Sequence, residues 1–432
     1  MRVRLLAACT AACLAGSAVA QVEEKYGFDV GKFEKKPFEL SGYAELRAES
    51  FRLNRGAALY KLNFFDHGAR TRLDRTSGAL EVSALYRHGI ATFQATAHGE
   101  VSRDNLQSGG RTRIHEAYLA LQPSTGLRLE AGKRALRWGK GYAWNPVGFI
   151  ERPKDPNDPE LSREGFTVLG GSFTRSFDGP LQTVTFNPLL VPTSARLNRD
   201  FGTGNHINPA ARLSLLYRDT DIDFLILGAG ARGMRYGFDF ARNLSTNLEI
   251  HGERARIHGA TRPVLGAGGS VTPQSGDITS YLLGMRYLTE RDTTWIVEYY
   301  RNGAGYTEDQ MRAYLKFAND AYDEFLATAN AAALTRAGAL QPSYARANPM
   351  RRYLYVRASQ KEPFDILYFT AAVAGMYNLD DRSWSLAPEL AYTGITNLDL
   401  RLRIFALHGA RLTDFGEKQN DRRIELRARY AF

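Results

Sequence analysis

The chain has 432 residues, is 44% hydrophobic and 24% charged, and carries a formal net charge of +10 with two cysteines. A soluble chain of this length would divide into about two or three domains, whereas one large closed sheet can absorb all of it. After the N-terminal segment there is no run of about 18 apolar residues, which excludes a transmembrane helix and leaves a closed barrel as the only way to cross a bilayer.

Residues 1–20 read as a signal peptide. Arg2 and Arg4 supply the charged start, Leu5 to Gly16 a short apolar core, and Ala18-Val19-Ala20 a small-x-small cleavage site ahead of Gln21. A lipoprotein site at Cys9 competes with this reading, but the apolar run before it is only about four residues, against the 7–15 such a core needs. Cys9 and Cys13 both lie inside this peptide. The mature chain therefore excludes a disulfide framework and a thiolate metal site, and suits export into an oxidising compartment. Removing Arg2 and Arg4 takes the charge from +10 to +8. A basic balance serves nucleic acid, anionic membranes or anionic solutes, and export argues against nucleic acid.

From residue 38 onward the dominant pattern has period two, the strand signal. Ala91, Phe93, Ala95, Ala97, Gly99 and Val101 make one face against Thr92, Gln94, Thr96, His98 and Glu100. Leu398, Leu400, Leu402, Ile404 and Ala406 oppose Asp399, Arg401 and Arg403; Ile424, Leu426, Ala428, Tyr430 and Phe432 oppose Arg423, Glu425, Arg427 and Arg429. Charged polar faces on strand after strand, in segments of about ten residues, match a barrel with its apolar face toward lipid.

The expected fold class is all-β: a transmembrane antiparallel up-and-down β-barrel of about eighteen strands, or sixteen if the weak hairpin 234–257 does not span. Strands are expected near 38–52, 77–88, 90–102, 111–122, 126–138, 165–178, 180–192, 208–218, 221–232, 234–242, 246–257, 278–290, 292–302, 351–361, 364–377, 382–393, 396–408 and 421–432. The connections test the count, because such barrels alternate long outer loops with short inner turns. His88-Gly89, 123–126, Gly179-Pro180, Asp219-Thr220, 244–246, Arg291, Glu362-Pro363 and Gly394-Ile395 form the short set. The long connections near 53–76, 139–164, 193–207, 258–277, 303–350 and 409–420 all fall in the other. The layout is a signal peptide (1–20), a periplasmic N-terminal segment (21–37) and a barrel (38–432).

One segment breaks the alternation. Thr307-Glu308-Asp309-Gln310 resembles a capping box, and Met311, Tyr314, Leu315, Ala318, Tyr322, Phe325 and Leu326 then recur at helical spacing. This predicts an amphipathic helix over 307–340 in the longest outer loop, as a constriction, a lid or a rim element. Tyr299, Trp384, Tyr392, Tyr430 and Phe432 fall near strand ends, where aromatic girdles belong. Pro388, inside a strand with no free edge, implies a bulge.

Three motifs carry a resemblance. The terminal Arg429-Tyr430-Ala431-Phe432 is similar to the aromatic signature of outer-membrane barrels. His115-Glu116-Ala117-Tyr118-Leu119-Ala120-Leu121, then Leu129-Glu130-Ala131-Gly132-Lys133-Arg134 and Trp138-Gly139-Lys140-Gly141, resembles a strand–turn–strand of the porin-like, alginate-export-like group of Gram-negative channels. Trp144-Asn145-Pro146 and the stretch from Arg152 to Glu160 resemble the outer loop that follows it. The resemblance implies a channel in the cell outer membrane, with outer-membrane lipid and lipopolysaccharide around it, and contact with the insertion machinery through Phe432.

By alternation the lumen receives Glu45, Arg47, Glu49, Arg128, Glu130, Arg134, Arg286, Arg357, Arg401, Arg403, Arg423, Glu425, Arg427 and Arg429. Arginine stays charged and grips carboxylate or phosphate in a fork, and rings of Arg or Lys favour anions. The opposing reading is a structural ladder of Arg–Glu pairs. Trp138, Lys140, Trp144, Asn145, Tyr314 and Phe317 are candidates for the loop or constriction. Asp155, Asp158 and Glu160 offer oxygen ligands for Ca²⁺, weighed against a proline-stiffened surface loop. His251 with Glu249 and Glu253 reads as an interior network, and the remaining histidines show no metal-ligand spacing. No metal site or cofactor is expected, and no Ser–His or Asp–His set assembles for an enzyme. The expectation is a channel passing or exporting hydrophilic, anionic solutes or a specific polymer. The alternative is a non-conducting surface barrel that anchors extracellular polysaccharide.

Overall fold

The computed structural model describes residues 37–158 and 164–432. The signal peptide, residues 21–36 and Glu160 lie outside the described residues.

Eighteen strands form among the described residues, in one sheet. They are β1 (Phe38–Leu53), β2 (Arg72–His88), β3 (Ala91–Asp104), β4 (Ser108–Ser124), β5 (Leu127–Arg134), β6 (Phe166–Ser176), β7 (Leu181–Thr193), β8 (His206–Tyr217) and β9 (Thr220–Leu227). The second half is β10 (Arg235–Ser245), β11 (Leu248–Leu265), β12 (Val271–Leu288), β13 (Thr293–Arg301), β14 (Arg352–Lys361), β15 (Phe369–Asn378), β16 (Trp384–Ile395), β17 (Leu398–His408) and β18 (Asn420–Ala431). Each pairs antiparallel with its sequence neighbours, and β1 pairs with β18 from Tyr43↔Ala431 to Leu53↔Asn420. The sheet is closed, so its interior backbone groups meet strand partners and no edge is left. Phe432 extends the closure, exchanging two 3.0 Å backbone hydrogen bonds with Gly42. The hairpin 234–257 is an ordinary member of the wall, paired on both sides, which settles the count at eighteen.

Alternation places the apolar set outside. Leu46 is 68% exposed between inward Glu45 and Arg47, and Leu80, Phe93, Phe224, Leu283, Leu390 and Leu426 are outward in the same way. Tyr430 and Phe432 sit exposed at the rim that carries the short turns, while Trp384 lies against His408 at the loop rim.

Several boundaries differ from expectation for physical reasons. β5 stops at Arg134, four residues early, because the chain leaves the wall toward the lumen. The β11–β12 hairpin runs on to Leu265 and Val271 and rises beyond the wall. The connection at Glu362-Pro363 is longer than two residues, since Pro363 has no N–H for the ladder. Residues 363–365 turn as a 3₁₀ segment with Phe364 and Asp365 at positive φ. Pro388 makes no bulge: Leu386 pairs with Ala406 and Glu389 with Arg403 at one constant offset, and the ladder to β17 simply lapses between them.

The 303–350 connection holds two helices, α2 (Glu308–Thr328) and α3 (Ala332–Tyr344); a short helix, α1 (Ala58–Phe64), occupies the 53–76 loop. The Thr307/Gln310 capping box is present. The single helix expected over 307–340 is broken at Ala329, which takes φ 58°. Met311, Tyr314, Leu315 and Ala318 are buried, but Leu326 is exposed. The three helices share one apolar core with Leu265 and the loop-rim ends of β13–β15, and so cap part of the loop rim.

Candidate functional site

The chain turns inward after β5 because of two glycines. Gly139 has φ +95°, and a Cβ there would meet Glu253 at 2.7 Å. At Gly141 a Cβ would meet the Trp144 carbonyl at 2.2 Å. The Trp138-Gly139-Lys140-Gly141 motif thus allows backbone to approach a buried carboxylate. Glu253 on β11 accepts from the amides of Lys140 (2.7 Å), Gly141 (2.6 Å) and Val147 (3.2 Å). Glu298 on β13 accepts from the amides of Tyr142 and Ala143 (2.9 Å), and His251 Nε2 lies 2.9 Å from it. Bonds of this charge-assisted kind contribute roughly 1.5–3 kcal/mol each. The loop continues across the lumen to the far wall, where Arg403 donates to the Asn157 carbonyl at 3.3 Å and Arg427 lies 3.4 Å from Asp158. It is therefore held at β5, at β11–β13 and at β17–β18.

Its apolar side chains cover one part of the wall. Trp138, Val147, Phe149 and Ile150 are buried against inward-facing Phe166, Val168, Leu189, Val191, Ala210, Leu225 and Leu227 of β6–β9. Trp144 points the other way, stacking 5.0 Å from Tyr300 and donating to Asn348 at 3.0 Å under the helical cap.

On the opposite wall the expected arginines do converge, and most are paired. Glu45 takes Arg47 and Arg429, each at 2.6 Å, with Arg427 at 3.9 Å. Arg401 bonds Asp399 at 2.7 Å, Arg403 bonds Glu389, and Arg423 reaches Glu49 at 3.3 Å while lying over Phe405. Arg128 and Arg134 both pair with Glu130. This is the crossed ladder rather than an array of unopposed charge.

Between the loop and β11–β17 three cavities follow one another. An outer chamber of about 400 Å³ lies under the cap, by Asn63, Gln341, Arg346 and Lys418. It shares Pro156, Asn157, Met376 and Ser385 with a throat of about 40 Å³ lined also by Asp158, Arg357, Glu389, Arg401 and Arg403. The throat shares Tyr142 and Arg357 with an inner chamber of about 620 Å³. There Arg137, Lys140, Lys154, Arg286, Arg357 and Lys361 face Glu151 and Glu249. Arg137, Arg286 and Lys361 make no ion pair with a described residue, whereas Lys140 lies 3.3 Å from Asp223.

Of the loop candidates, Lys140 lines the inner chamber, and Asn145 tethers Glu151 within the loop at 3.0 Å. Trp138 and Trp144 are buried anchors. Tyr314 is wholly buried in the cap, stacked 4.3 Å from Tyr344, and lines no passage; Phe317 packs beside Gly269 at the β11–β12 tip. Of the Ca²⁺ trio, Asp158 engages Arg427 and Asp155 caps its own turn through Asn157. The anchoring roles of Glu253 and Glu298 were not legible from sequence. Nothing in the alternation separates them from the other inward carboxylates.

No family model matches the sequence, and no curated protein matches it. Solved structures do. The Pseudomonas aeruginosa channel OccK5 (OpdH) superposes with a TM-score of 0.50 at 12% identity, over 91% of this chain and 98% of that one. The fold is that of a porin-type barrel. OccK2 (OpdF) from the same organism, determined in complex with glucuronate, gives 0.49 at 12% identity over 91% and 98%. A triple mutant of the Rhodopseudomonas blastica porin gives 0.43 at 9% identity over 91% and 100%. At these identities the likeness concerns the porin-type fold alone.

Proposed function

We propose that this porin-type barrel is an outer-membrane channel for small hydrophilic anions, carboxylates above all. Its short-turn rim would face the periplasm and its helical cap the exterior. The supporting observation is the excess of cations along the chain of cavities, with six in the inner chamber against two carboxylates. Guanidinium groups at the throat would bind a carboxylate in a fork, and the long inner chamber would hold its polar remainder. The paired seam contributes rigidity and little net field.

The throat favours a second reading. A space of 40 Å³ holds about three waters, as befits a closed barrel that anchors extracellular polysaccharide. Planar-bilayer recording separates the two. A channel gives steps with a reversal potential of anionic sign in a salt gradient, and the double variant Arg357→Ala/Arg403→Ala shifts it toward cations, since the throat loses two cations and Glu389 keeps only Arg401, 3.9 Å away. A barrel that stays closed, with residues 307–340 either present or replaced by a short linker, would be the anchor. A cation-preferring wild-type pore would end the anion reading.

A further inference from the structure

We propose that Glu81, His98 and His115 form a binding site for a divalent cation of the zinc class on the lumen wall, apart from the constriction. The three come from consecutive strands, β2, β3 and β4. Glu81 and His98 are direct cross-strand partners, and both face inward beside outward Leu80 and Ala97. His115 reaches the same place by a different device. Thr96 pairs with Glu116 and Ala97 with Ile114, so His115 is the extra residue of a β-bulge. The bulge turns two successive side chains, His115 and Glu116, toward the lumen, which simple alternation forbids. The backbone there is fixed further by the amide of Gly165, which donates to the His115 carbonyl at 2.9 Å.

The donor geometry fits an ion. Glu81 Oε2 lies 3.3 Å from Nδ1 of His98 and 3.2 Å from Nδ1 of His115. A tetrahedral ion with bonds of about 2.0–2.1 Å separates its ligand atoms by about 3.3 Å. One donor atom from each residue lies within 4.8 Å of the others. The two imidazoles are stacked, centroids 4.6 Å apart and 11° from parallel, and each presents Nδ1 to Glu81 Oε2; a bound ion would tilt the rings toward it. His98 Nδ1 is buried without hydrogen-bond geometry toward any described group. Two imidazole nitrogens and one carboxylate suit Zn²⁺, Co²⁺, Ni²⁺ or Cu²⁺. Ca²⁺ and Mg²⁺ call for more oxygens than this corner offers.

Three protein ligands leave a fourth position open. Glu81 and His115 line a cavity of about 230 Å³ with Gln94, Thr96, Arg137 and Arg152. A bound ion would face that space, where water or the carboxylate of a passing solute completes the shell. The site would then be a localised positive charge inside the lumen, present only when metal is.

The experiment uses the folded, detergent-solubilised barrel carrying no histidine tag. Calorimetric titration with Zn²⁺ is expected to show one high-affinity equivalent, unaffected by excess Ca²⁺ or Mg²⁺. His98→Ala and His115→Ala should each weaken it by at least roughly 100-fold, and Glu81→Gln by about 10-fold. His258→Ala, at the exposed Asp277 pair, should leave it unchanged. Titration of the wild-type protein with Co²⁺ should give the visible spectrum of a four-coordinate N/O site, a readout that needs no variant to fold. Absence of a stoichiometric Zn²⁺ site, an octahedral Co²⁺ spectrum, or retention of the site in His98→Ala/His115→Ala would overturn the assignment.

Discussion

On β17, β18 and β1 the inward face is charged and ion-paired; on β6 to β9 it is apolar and covered by the loop. Both walls follow the same backbone alternation. In the first, Arg401, Arg403, Arg427 and Arg429 are held by Asp399, Glu389 and Glu45. In the second, Leu189, Val191, Leu225 and Leu227 are held by Val147, Phe149 and Ile150. The lesson is that inward is not a synonym for polar in this fold. What faces inward matches what lies opposite it, and along β6–β9 that is protein rather than water. The apolar quarter makes the loop a fixed partition; on the other side, Arg401 and Arg403 of the charged quarter line the throat.

The contrast can be broken most severely at the partition's anchors. Glu253→Ala with Glu298→Ala removes acceptors from five loop amides. At roughly 1–3 kcal/mol for each donor left unsatisfied, the loop should detach. Conductance should rise several-fold, and protease should cut within 139–158. Unchanged conductance would show that the partition does not limit the passage.

A smaller effect is expected on the charged wall. Glu45→Gln deprives Arg47, Arg427 and Arg429 of their shared carboxylate. The seam should turn from a balanced ladder into a basic one, moving the reversal potential further toward anions. A loss of about 1–3 kcal/mol in urea unfolding should accompany it, since the partners are partly buried. A reversal potential unmoved by this change would mean that ions do not pass along the seam.

The smallest effect belongs to the cap. Burial pushes the Tyr344 phenol up to about 12, and that of Tyr314 up as well. A group with a raised folded-state pKa holds its full contribution below the unfolded value near 10 and loses it as pH rises through the folded one. Amide protection factors across 308–344, referred to the base-catalysed intrinsic rates, should therefore be constant up to about pH 10 and fall above it, while those of the strands hold. Thr307→Ala, which removes the helix cap, should bring that onset lower through a loss of about 1 kcal/mol. A cap that loosens on the acidic side instead would contradict this account.

Much of the barrel was legible in the sequence, because a period of two with turns of fixed parity leaves little freedom in where each strand lies. The eighteen strands, the capping box and the convergence of the seam arginines were all visible there. The partition was legible only as a motif. Trp138-Gly139-Lys140-Gly141 marks where the chain leaves the wall, but its carboxylate partners are more than a hundred residues away. The run Phe224-Leu225-Ile226-Leu227 is apolar on both faces, outward at Phe224 and Ile226 and against the loop at Leu225 and Leu227, a signal that the expectation of a polar lumen concealed. Glu81, His98 and His115 stand on three different strands, where no linear spacing links them, and one depends on a bulge.

Trp144 belongs to two bodies at once. Its backbone runs in the partition, two residues beyond the amide of Tyr142 on Glu298, while its indole is packed among the cap residues and bonded to Asn348. Mouth and throat are thus geared together. A pull on the surface helices reaches the narrowest point through one rigid ring, and any ligand that shifts the exterior must either carry the partition with it or break that bond.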